Sequence, residues 1–167
     1  ALSLDEGVGH AAADDEGIDL LQQVGDDIQL VSDLCAAQNG GEGADGIVHG
    51  IAEFIERYDE FAAYLNGLGF LVVAEDHMGH GKSEGTRLYF TGGWETAAED
   101  CYTLLQMTHA EFPELPYFLF GHSMGSFLTR TVLIRHPEAP LAGAVICGTG
   151  WQPAPVLAAG LALCGLE

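Results

Sequence analysis

Positive charge is scarce in this chain. Five Lys or Arg stand against 25 Asp or Glu, a formal net charge of −20. Such a surface repels polyanions, so nucleic acid and anionic membrane surfaces are not expected partners. The deficit is uneven. Residues 1–46 hold eleven acidic residues and no Lys or Arg; the remainder holds fourteen acidic and five basic residues. Cysteine is also sparse. Cys35, Cys101, Cys147 and Cys164 form no CxxC pair, which argues against a zinc ribbon or a dense disulfide framework. Free thiols, and hence a reducing cytoplasm, are the expectation. Apolar runs are too short or too broken by glycine to span a bilayer, so no integral membrane segment is expected. No basic stretch leading into an apolar run opens the chain as a signal peptide would. Downstream of residue 123 there is no Asp, and Glu138, Glu167 and His136 alone offer a carboxylate or an imidazole.

What is present suffices for one folded domain: 167 residues, 48% of them hydrophobic. Residues 1–46 read as an acidic, partly disordered segment. Within it "DDIQLVSDL" has the composition of one strand, and "CAAQNGGEGADG" reads as a loop. From Gly46 onward the text is more regular. "GIVHG" is a short apolar run ending in a turn. Tyr58, Phe61, Ala62 and Leu65 recur at helical spacing, and Asn66-Gly67 with Gly69 can stop that helix. "FLVVAE" (70–75), "PYFLF" (116–120) and "AGAVIC" (142–147) are continuous apolar strands of the kind covered on both faces. Residues 94–111 place Cys101, Leu104, Leu105 and Thr108 on one helical face. A further helix from Ser123 aligns Met124, Phe127, Leu128, Thr131 and Val132, and Pro137 ends it. Alternating strands and helices predict an α/β fold with a largely parallel sheet and helices on both faces. Ligands of such sheets sit at the carboxyl ends of the strands. "HGIAE", "DHMGHGKS" and "GHSMG" all fall at such ends.

"GHSMG" matches G-x-S-x-G between a strand and a helix, the setting in which that motif exposes a nucleophilic serine. Gly121 and Gly125 remove side chains that so tight a turn cannot hold. His122 and Met124 flank Ser123. The helix dipole beginning at the serine favours developing negative charge. The backbone N–H of Met124 is the expected first oxyanion donor. The turn after an earlier strand, where His49 and Gly50 shape the backbone, offers the N–H of Ile51 as the second. One such donor contributes roughly 3 kcal/mol to the transition state.

Two other chemistries fit the loops less well. "HGKS" lacks the first glycine of a phosphate loop, since Asp76 stands there. Asp76, His77 and His80 are metal-ligand types, but Gly79 and Gly81 suit a tight structural loop with hydrogen-bonded histidines. No cofactor or metal is implied.

The string "HGIAEFIERYDEFAAYLNGLGFLVVAEDHMGHGKSEG" followed by "FLFGHSMGS" resembles the α/β-hydrolases of the monoacylglycerol lipase, lysophospholipase and serine aminopeptidase-like group. The resemblance implies an α/β-hydrolase fold and hydrolysis of lipid-like or small acyl esters. It implies Ser123 as nucleophile, with Ile51 and Met124 at the oxyanion hole. It divides the chain into residues 1–46, which match poorly, a front core at 47–150, and the start of an apolar lid at 151–167. In that group the triad's acid and then its histidine follow the serine on later loops. His136 lies too far along the nucleophile's own helix, so both partners are expected beyond residue 167, with the later strands. The 167-residue chain is then expected to turn over esters weakly or not at all. The alternative is a non-catalytic, truncated hydrolase fold that binds apolar ligands or self-associates through an open sheet edge.

Overall fold

The computed structural model describes residues 28–29, 41–88, 93–156 and 158. The acidic tail and most of the lid segment expected from the sequence lie outside the described residues. The centre of the fold is β2 (Gly43–Val48). It pairs in parallel with β3 (Phe70–Glu75) on one side and β4 (Tyr117–His122) on the other. β5 (Leu141–Cys147) adds in parallel outside β4, and β1 (Ile28–Gln29) adds antiparallel outside β3. The order is β1-β3-β2-β4-β5. Among the described residues three helices join the strands: α1 (Asp59–Gly67), entered through a 3₁₀ turn at Ile55–Tyr58, then α2 (Trp94–Glu111) and α3 (Met124–Arg135).

Alternation along β3 explains why the strand is apolar throughout. Leu71 and Val73 point to one face, where they meet Cys101, Leu104 and Leu105 of α2 and Leu128 and Val132 of α3. Val72 and Ala74 point to the other, with Ile47, Ile55 and Ala62 of the α1 side. The sheet is thus covered on both faces, as the continuous apolar strands required. On α2 the buried residues Ala97, Ala98, Cys101, Leu104, Leu105 and Thr108 follow the expected stripe. On α1, Ala62 is buried, and Tyr58, Phe61 and Leu65 pack around it.

Two expectations need correction. "GGEGADG" is not wholly a loop, because Gly43, Ala44 and Asp45 are already in β2. Its glycines leave room for close neighbours. A Cβ on Gly46 would come 2.4 Å from the Tyr117 hydroxyl, and one on Gly43 would come 2.8 Å from the Pro116 carbonyl. The buried face of α3 is also turned from the one predicted. It carries Gly125, Ser126, Leu128, Thr129 and Val132, while Phe127 is partly exposed.

Candidate active site

Strand register brings two loops together. Val48 of β2 lies opposite Gly121 of β4, so His49-Gly50 leaves the sheet beside His122-Ser123. Gly50 measures the approach: a Cβ there would sit 3.2 Å from Ser123 Cβ. Ser123 occupies the turn between β4 and α3 at φ 52°, ψ −117°. Left-handed backbone is costly for a residue with a side chain, on the order of 1–3 kcal/mol. The turn is fixed from both sides. Ser123 N–H donates to the Cys147 carbonyl at 2.9 Å, and the Ser123 carbonyl accepts from Ser126 N–H at 3.0 Å and Ser126 Oγ–H at 2.6 Å. The motif glycines are sterically required. A Cβ on Gly125 would meet the Val48 carbonyl oxygen at 1.9 Å, and one on Gly121 would meet Thr129 Oγ1 at 2.4 Å. The facing loop is strained too, with Ala52 at φ 58°. Ile51 precedes it and is exposed, and Met124 opens α3.

Glu53 holds the facing loop, a role that sequence reasoning did not assign. Its Oε2 accepts from Gly50 N–H at 2.8 Å and from Tyr58 O–H at 2.9 Å, and His122 Nδ1 lies 3.4 Å away. Burial alone would raise the carboxyl's pKa. The Gly50, Tyr58 and His122 donors outweigh it and hold the group below the usual carboxylate range. The available signal was a carboxylate three residues after the His-Gly turn, the spacing at which a side chain returns to a backbone N–H.

The histidines beside the serine are committed elsewhere. His49 is fully buried. Its Nδ1–H donates to the Gly50 carbonyl at 2.8 Å, and its Nε2 accepts from His77 N–H at 3.0 Å. Burial, reinforced by His77, pushes its pKa down to about 4. His77 is likewise buried, neutral and depressed to about 4. His80 Nδ1–H donates to the Met78 carbonyl at 3.2 Å. Asp76 braces the loop, its Oδ1 accepting from Ile55 N–H and its Oδ2 from Lys82 N–H, both at 2.8 Å. An N–H that a phosphate loop would offer its ligand is therefore taken internally. His136 caps the far end of α3, a 12-residue helix of about 18 Å. There it donates to Glu99 at 3.0 Å and stacks on Tyr102. Between residues 52–54 and the loop at residues 79–88 a cleft of about 500 Å³ opens, lined by Ala52, Glu53, Phe54, Ser83, Arg87 and Leu88 among others.

A strained serine between two obligatory glycines, facing a His-Gly turn across adjacent parallel strands, is a hydrolase arrangement. The family described as serine aminopeptidase, S33 (Hydrolase_4) matches residues 46–165. The chain belongs to this family. Mouse monoglyceride lipase is 38% identical over 91 residues, covering 54% of this chain and 30% of that protein. The crystal structure of a highly thermostable carboxyl esterase from Bacillus coagulans superposes with a TM-score of 0.63 at 36% identity, covering 75% of this chain and 43% of that one. Paleococcus ferrophilus monoacylglycerol lipase superposes with a TM-score of 0.56 at 30% identity, covering 74% and 47%. The chain thus spans about a third to a half of the length of these hydrolases, and it carries the α/β-hydrolase fold over that span. Among the described residues no helix is long and apolar enough to cross a membrane.

Proposed function

We propose that this chain carries the nucleophile and oxyanion half of a serine ester hydrolase of monoacylglycerol-lipase type. Ser123 Oγ attacks the acyl carbonyl, the N–H groups of Met124 and Ile51 hold the oxyanion, and the alcohol departs to leave an acyl-serine that water cleaves. The observation carrying this reading is the Ser123 turn, at φ 52° and in contact range of Gly50. Substrates are acyl esters of lipid type, in keeping with the names of the relatives. We place the protein in the cytoplasm, on the thiol argument above. The histidines His49, His77, His80 and His136 are engaged as described and His122 Nδ1 lies 3.4 Å from Glu53, so in this reading the proton acceptor is none of these five; loss of a triad histidine costs on the order of 10⁶-fold in kcat.

The reading predicts chemical rescue. With a p-nitrophenyl ester, the chain and its Ser123→Ala variant should show the same background rate. Added imidazole should then raise the rate of the native chain above that of the variant. Equal imidazole responses in the two would refute the assignment of Ser123.

A second reading, self-association, is favoured by one observation. Among the described residues β5 pairs with β4 alone; Val145 on β5 is 52% exposed and Trp151, four residues past the strand, 80% exposed. An open edge flanked by apolar side chains templates pairing with another chain. Light scattering should give a mass that climbs above the monomer's with concentration, and Val145→Lys should reduce the climb. A monomer mass at all concentrations would remove this reading.

A further inference from the structure

The end of β3 places three donor groups together on the side of the sheet away from the hydrolase loops' Asp76. Alternate residues of an extended strand share a side. Glu75 and His77 accordingly face α2, while Asp76 turns to the Ile55 and Lys82 N–H groups. From α2, Cys101 enters the same space. Cys101 Sγ lies 3.5 Å from Glu75 Oε1, and His77 Nδ1 lies 3.5 Å from the same oxygen. The three ligand atoms all fall within 4.8 Å of one another, and all three residues are buried.

The tautomer of His77 follows from its other nitrogen. Nε2 is 3.2 Å from the His49 carbonyl, which can only accept, so Nε2 carries the hydrogen. Nδ1 therefore presents a lone pair toward Glu75 and Cys101. A metal-bound imidazole is typically held this way, its second nitrogen donating to a backbone carbonyl. The two spacings to Glu75 also fit. Zinc with nitrogen and oxygen ligands at about 2.0 Å and sulfur at about 2.3 Å, in tetrahedral geometry, has N–O edges near 3.3 Å and S–O edges near 3.5 Å.

We propose that Glu75, His77 and Cys101 form a three-ligand site for a borderline divalent transition metal such as zinc or cobalt, tying the end of β3 to α2. One thiolate, one imidazole and one carboxylate disfavour magnesium and calcium, which take oxygen ligands. Burial pushes the Cys101 thiol well above its ordinary value, because a bare thiolate there is unsolvated and close to Glu75. A bound cation supplies the compensating charge, and binding releases the thiol proton to solvent.

The test uses the full chain with Cys35, Cys147 and Cys164 changed to Ser, stripped with a chelator and titrated with Co²⁺. The site predicts a thiolate-to-cobalt charge-transfer band saturating at one equivalent and displaced by Zn²⁺. Cys101→Ser should abolish the band, and Glu75→Gln should weaken cobalt binding at least about tenfold while far-UV circular dichroism is unchanged. Zn²⁺ should raise the thermal midpoint of the parent and not of Cys101→Ser. A folded parent without the band, or a band that survives Cys101→Ser, overturns the site. If the triple variant does not fold, the comparison is made in the native chain, where loss or survival of the band on Cys101→Ser alone decides it.

Discussion

Ser123 and Gly125 divide the labour of the turn between β4 and α3. The serine adopts left-handed backbone while bearing a side chain, and the glycine lets α3 begin against the carbonyl of Val48. That contact is backbone to Cβ at 1.9 Å, so no rotamer change relieves it. Gly125→Ala should therefore destabilise the fold by about 3 kcal/mol or more, read as a lower urea midpoint. Gly67→Ala is the control. Nothing lies within 4 Å of its added Cβ, and the residue is helical. It should be neutral or stabilising by up to ~1 kcal/mol. Equal losses at the two glycines would contradict the steric account. The motif glycines were legible in the sequence because G-x-S-x-G encodes this collision. Glu53 was less so, because its task depends on a loop whose path only the register of β2 and β4 fixes.

Among the elements, β3, α1 and α2 were legible because their apolar residues repeat at the periods of strand and helix. β2 was not. Glycine and Asp weaken an isolated strand, and this one forms because it has a partner on each edge. Its Asp45 bears the consequence. Burial raises its pKa to about 7 from 3.8, and among the described residues no hydrogen bond reaches its buried Oδ1. The folded state then holds a proton that the unfolded chain releases. The stability contributed by neutral Asp45 is fully present below pH 3.8 and is lost as pH rises toward 7. Asp45→Asn should remove this decline and stabilise the protein at pH 8 by on the order of 1–3 kcal/mol, measured by denaturant titration at pH 5 and pH 8. A mutant effect that is the same at both pH values would count against it. The rotation of α3's buried face has a related cause. Its closest contacts, with β2 and β4, select small residues, Gly125, Ser126 and Thr129, over the bulkier Phe127. A pattern of hydrophobicity does not register that preference.

At the scale of the whole molecule, the largely parallel sheet and the helices on both its faces were readable before the structure. What composition could not supply was the fate of the histidines. Seven are present, and type alone does not separate a free base from one locked by a carbonyl. The structure makes that separation for His49 and His77 by burying both rings and holding one nitrogen of each on a backbone carbonyl. The account's central claim is that Ser123 forms an acyl-enzyme once a proton acceptor is supplied. Intact-mass analysis after brief incubation with a p-nitrophenyl ester and imidazole tests this most directly. The account predicts one acyl group per chain, mapping by peptide digestion to Ser123 and absent from Ser123→Ala. An adduct on another residue, or no adduct while the ester is consumed at equal rates by both proteins, would contradict it.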